Sequence, residues 1–74
     1  MKTEIERKLD KLPASIYDPE DNCYDLIIRR YEESKPYSWI IEYVDFNTEN
    51  TFLRVNHNSL QAAVDTTLKE IKNL

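Results

Sequence analysis

Nucleophilic catalysis needs a thiol or hydroxyl, a base to take its proton and a group that orients the base. This chain of 74 residues offers one cysteine, Cys23, and one histidine, His57. Cys23 opens the first of three β-rich runs and His57 follows the last, so an antiparallel order puts them at opposite edges of a sheet. Cys23 then reads as a small packing residue at the sheet margin, and His57 as a loop or capping residue before a helix. Asp18, Glu20, Asp21 and Asp25 are the densest stretch of one sign. They lack the alternating ligands and the glycine of a calcium loop and read as a solvated acidic loop, with imitation of nucleic-acid phosphates as a lesser use. The chain has no glycine, which removes the phosphate-cradling loops that depend on it. No enzyme activity, metal or cofactor is expected.

The elements that would position any site follow from local signals. Thr3 and Glu6 have the spacing of a capping box, and Ile5, Leu9 and Leu12 recur at helical spacing until Pro13. From Ser15 to Asn22 turn-forming residues predict a connecting loop. Three β-rich runs come next, Cys23 to about Glu33, Tyr37 to Phe46 and Thr51 to Asn56. Asn58 with Gln61 then starts a second helix, whose apolar side carries Leu60, Ala63, Val64, Thr67, Leu68, Ile71 and Leu74. The expected fold is α+β in the order α-β-β-β-α, a three-stranded antiparallel meander with two helices packed on one face, in a single domain over residues 1–74.

Alternation along a strand assigns the two sides of that sheet. Leu26, Ile28, Trp39, Ile41, Tyr43, Leu53 and Val55 should face the helices. A turn that pairs Glu32 with Tyr37 also sets Ile28 opposite Ile41 and Leu26 opposite Tyr43. A three-residue loop in the second hairpin pairs Tyr43 with Leu53 and Glu42 with Arg54. The opposite phase holds Ile27, Tyr31, Ile40, Val44 and Phe52, interleaved with Asp25, Arg29, Glu42 and Arg54. Two helices screen one face of such a sheet, so this side should be open to water unless a second chain meets it. Ile27, Arg29, Tyr31, Ile40, Glu42, Val44, Phe52 and Arg54 are therefore the expected partner-binding residues.

Composition narrows the partner. Hydrophobic residues make up 41% and charged residues 32%, which suits a folded domain, and the net charge of −4 repels nucleic acid and anionic membrane. A single cysteine excludes an internal disulfide, and no signal peptide or long apolar run is evident, so the expected location is cytoplasmic, in a bacterial or phage-infected host cell. The order of helix, three strands and long final helix resembles the double-stranded RNA-binding domain, whose lysines at the start of the last helix are replaced here by Asn58-Ser59-Leu60-Gln61-Ala62-Ala63. The aromatic hairpin leading into Ser59-Leu60-Gln61-Ala62-Ala63-Val64 is similar to small HicB-type antitoxin domains and short phage-encoded proteins. The expected function is that of a non-enzymatic interaction module, a small phage or mobile-element protein that self-associates or binds and inhibits a partner protein. The alternative is a degenerate nucleic-acid-binding module using Arg29, Arg30 and Arg54.

Overall fold

The computed structural model describes residues 2–31 and 38–74, without the side chains of Tyr31 and Ser38. The proposed pairing of Glu32 with Tyr37 lies outside the described residues. The elements are α1 (Glu4–Asp10), β1 (Ser15–Tyr17), β2 (Cys23–Tyr31), β3 (Ser38–Asp45), β4 (Asn50–His57) and α2 (Leu60–Lys72). The class is α+β, as expected, but the sheet has four antiparallel strands in the order β1-β2-β3-β4 rather than three.

The added strand comes from the segment expected to be a loop. Ser15, Ile16 and Tyr17 pair with Asp25, Tyr24 and Cys23. Only the centre of that segment is a turn, and Asp18 builds it. Its carboxylate accepts hydrogen bonds from the Glu20 and Asn22 backbone N–H groups at 2.9 and 3.0 Å, and from the Asn22 amide and Tyr24 hydroxyl at 2.9 Å each. A turn so firmly closed brings its flanks together, and three residues are too few for alternation to announce a strand.

The helix starts follow from their caps. Thr3 and Glu6 form the expected capping box on α1. The second helix is capped by Ser59, which accepts from the Ala62 N–H at 3.3 Å, one residue later than Asn58. Its inward stripe buries Ala63, Val64 and Thr67, whereas Leu74 lies beyond the helix and is exposed. The Thr67 hydroxyl donates to the Ala63 carbonyl at 2.7 Å, so no bare polar group enters the core there.

Between β2 and β3, Leu26 faces Tyr43, Ile28 faces Ile41 and Arg29 faces Ile40. Between β3 and β4, Ile41 faces Val55, Glu42 faces Arg54 and Tyr43 faces Leu53. Those pairs agree with the sequence reading, but the loop does not. Beyond Tyr43 the register slips so that Val44 faces Thr51, and residues 46–49 form the turn, one residue longer than expected. Phe52 is the residue the bulge absorbs. Without glycine, the left-handed backbone positions of the two turns fall to Asp21 (φ 65°) and Glu49 (φ 62°).

The core lies between the sheet and both helices. Leu12, Ile41, Val55, Ala63 and Val64 form its buried centre, with Ile5, Leu9, Leu26, Trp39, Leu60, Leu68 and Ile71 packed around it. Tyr43 is fully buried, and its hydroxyl donates to the Pro13 carbonyl at 2.8 Å, tying the segment after α1 to the sheet. Burial pushes the ionisation of that hydroxyl up to about 12. Lys8 on α1 bridges to Asp65 on α2 at 3.0 Å, a contact at the rim of the helix pair.

Ile28 corrects one core assignment. It has the phase of the helix-facing residues yet is 39% exposed, because α2 rests on β3 and β4 and leaves this part of β2 uncovered. Among the described residues no helix is long and apolar enough to cross a membrane.

Candidate functional site

The sheet face turned from the helices is built mainly by three strands in register, with β1 adding Ser15 beside Asp25 and the exposed Tyr17 beside Cys23. Ile27, Glu42 and Arg54 form one row across β2, β3 and β4; Arg29, Ile40 and Asn56 form the next; Asp25, Val44 and Thr51 form the row on the other side. Directly opposed residues share a face at roughly 5 Å between Cβ atoms, so each row is a line of touching neighbours. Glu42 thus stands beside Arg54, and Arg29 flanks Ile40. Among the described residues of these rows, two acids, Asp25 and Glu42, balance two arginines, Arg29 and Arg54.

The eight sequence-predicted residues do not all gather there. Ile27, Glu42 and Val44 are half-buried, and Arg29 and Arg54 are exposed, as a usable surface requires. Ile40 is only 4% exposed. Its place on β3, with Arg29 and Asn56 on either side, puts it at the bottom of the face rather than on top of it, which corrects the expectation that it is bare. Tyr31 stands opposite Ser38 on the backbone ladder, and its side chain is outside the described residues.

Phe52 leaves the group. Its ring lies 4.8 Å from that of Tyr24. Tyr24 shares the phase of Leu26 and Ile28, and two strands with a third between them can bring rings together only on one side of the sheet. The bulge is the physical reason, because an extra residue reverses which way its neighbour points. Phe52 and Tyr24 instead close the lower end of the helix side, next to the buried Asp45, whose carboxylate accepts from the Asn47 N–H at 2.9 Å.

The residues with chemical potential are apart or engaged. Cys23 lies on β2 and His57 on β4, with β3 between them and at opposite ends of the sheet. The Cys23 thiol points at Asp25 (3.6 Å), which also accepts from the Ser15 hydroxyl at 2.7 Å. His57 shares a 3.0 Å hydrogen bond with the Thr66 hydroxyl of α2. In the acidic loop, Asp18 spends its oxygens on the turn itself, and the Asn22 amide above all holds its carboxyl below the usual carboxylate range. Asp18 in turn raises the Tyr24 hydroxyl above its ordinary value. No group of three or more His, Cys, Asp or Glu residues among the described residues could hold a metal ion.

The arginines also part company. Arg30 has the helix-side phase, and its guanidinium lies over the Trp39 ring at 5.4 Å. Arg29 and Arg54 are on the opposite face, so the three do not make one basic patch.

Sequence reasoning did not find a second feature, an open groove of about 400 Å³ lined by Leu53, Arg54, Val55, Asn56, His57, Thr66 and Glu70. Five consecutive strand residues can line one groove only along the strand's flank. The groove therefore runs down the outer edge of β4, under one side of α2. No local signal encodes it, since it depends on where α2 settles.

No protein-family model, no curated protein and no solved structure matches this chain.

Proposed function

We propose that this chain is a non-enzymatic protein-interaction module that self-associates, or binds and inhibits a partner protein, through the sheet face turned from its helices. One observation carries the reading. Half-buried Ile27 and Val44 stand among Arg29, Glu42 and Arg54 on a face over which neither helix packs. Apolar centres with a charged, arginine-bearing rim are the usual make-up of protein interfaces. The balance of acids and arginines favours a protein over nucleic acid, which calls for an excess of cations on one surface.

Ile27 and Val44 are the residues to test, because Ile40 is buried enough that changing it would disturb the sheet. The double substitution Ile27→Lys with Val44→Lys should weaken association by tenfold or more (about 1.4 kcal/mol), with the helical circular dichroism retained. Association at unchanged strength in a folded variant overturns the proposed surface.

A further inference from the structure

We propose that the partner of the sheet face turned from the helices is a basic protein segment, and that its lysines or arginines settle at the end of the sheet where two acidic turns meet. The inference rests on the sheet-face reading and gives that surface a direction and a partner chemistry.

Antiparallel pairing brings together turns that are far apart in sequence. Tyr17 pairs with Cys23, Asp25 with Val44 and Asp45 with Asn50, so the turns over residues 18–22 and 46–49 leave the sheet at the same end. About two strand spacings separate them, roughly 10 Å, close to the reach of about 8 Å that a charge has in physiological salt. Residues 15–25 and 43–52 hold six carboxylates, Asp18, Glu20, Asp21, Asp25, Asp45 and Glu49, with neither lysine nor arginine. The chain as a whole carries −4, so the remainder is net positive.

The fold holds these charges without cancelling them. Asp18 accepts from backbone, amide and phenol donors, Asp25 from the Ser15 hydroxyl and Asp45 from the Asn47 N–H, all of them neutral groups. Such donors favour the ionised carboxylate and leave its charge to be met from outside. Glu20, Asp21 and Glu49 are exposed.

Apolar surface marks the same end. Of the five large hydrophobic side chains exposed among the described residues, three are aromatic and lie here: Tyr17 at 66%, Phe46 at 61% and Phe52 at 38%. Tyr17 continues the sheet face one row beyond Asp25 and Val44, and Phe46 opens the β3–β4 turn. An aromatic ring face attracts an ammonium or guanidinium group, and a carboxylate beside it offers that group a charged acceptor.

Charge complementarity selects the occupant. A second copy docking face to face brings the same acidic end, and nucleic acid brings phosphates, so both are repelled here. A segment bearing lysine or arginine is attracted, while its apolar residues meet Ile27 and Val44.

The test titrates the full chain with a peptide alternating lysine and valine, and with its counterpart carrying glutamate for lysine, following backbone amides by NMR. The lysine peptide should bind, more weakly as salt is added, with the largest shifts in residues 15–25 and 44–49; the glutamate peptide should not. Glu20→Gln, Asp21→Asn and Glu49→Gln together remove three exposed charges and should weaken binding about tenfold. Tyr17→Leu with Phe46→Leu keeps apolar area without the ring faces and should weaken it roughly threefold. Equal binding of the two peptides, shifts confined to other residues, or full affinity in either variant overturns the inference. The uncharged change Ile27→Thr with Val44→Thr should also weaken the lysine peptide. Weakening there alone, with the charge variant at full strength, overturns the basic partner and leaves the sheet-face reading standing. Weakening in the charge variant alone overturns the sheet-face reading instead.

Discussion

The two margins of the sheet are held by opposite means. At β1 the chain is closed by polar bonds local in sequence, centred on the Asp18 carboxylate and reaching only to Tyr24. At β4 it is held by apolar burial between residues far apart in sequence, Ile41 and Val55 from the strands against Ala63 and Val64 from α2. The polar margin is specified by a few residues and responds to protonation. The apolar margin is specified by the whole fold and responds to volume.

The largest effect should come from the apolar side. Ile41 is fully buried, so Ile41→Ala should cost about 2–5 kcal/mol, seen as a lower midpoint in urea denaturation. Against a total stability of about 5–15 kcal/mol for proteins in general, that loss would leave little for a chain this small. A loss well under 1 kcal/mol would mean that β3 is not the centre of the core.

At the polar margin, Asp18→Ala should have a smaller effect that depends on pH. The folded carboxyl titrates below its unfolded value of about 3.9, so its contribution is fully present above that pH and is lost as pH falls through the folded value. The stability gap between Asp18→Ala and the parent should therefore close in acid. A gap that stays constant down to pH 2 would show that the turn does not depend on the carboxylate charge.

The smallest change is expected at the other turn, where the backbone conformation of an exposed residue is at stake. Glu49 adopts φ 62° without the help of glycine, and Glu49→Gly should stabilise the chain by roughly 1 kcal/mol, less the entropy that glycine returns to the unfolded state. A destabilised variant in the same urea titration would mean that the Glu49 side chain, rather than its backbone, matters to the β3–β4 turn.

The same contrast between local and distant causes explains how far the fold is legible in the sequence. Thr3 and Glu6, or the stripe on α2, are signals within one turn or two of helix, and they mark the right elements to within a residue at the caps. The pairs Ile28 with Ile41 and Tyr43 with Leu53 are legible because one slip in register would turn every apolar residue the wrong way. The bulge at Phe52 is not legible, since a period of two carries no mark of where an extra residue will be absorbed. β1 is hidden for a related reason: Ser15-Ile16-Tyr17 is too short to show a period, and only the Asp18 turn makes it a strand. Of the candidate site, the row of Ile27, Glu42 and Arg54 is visible in advance, whereas the burial of Ile40 and the groove along β4 are not.

Residue order alone dictates the kinds of element, their succession after the first turn and the two phases of each main strand, because those properties are set by neighbours a few residues away. What those phases are worth is settled only by packing. A helix about 10 Å across covers about two strands spaced at roughly 4.8 Å, so where α2 came to rest left Ile28 bare on the covered side and opened a groove beside β4.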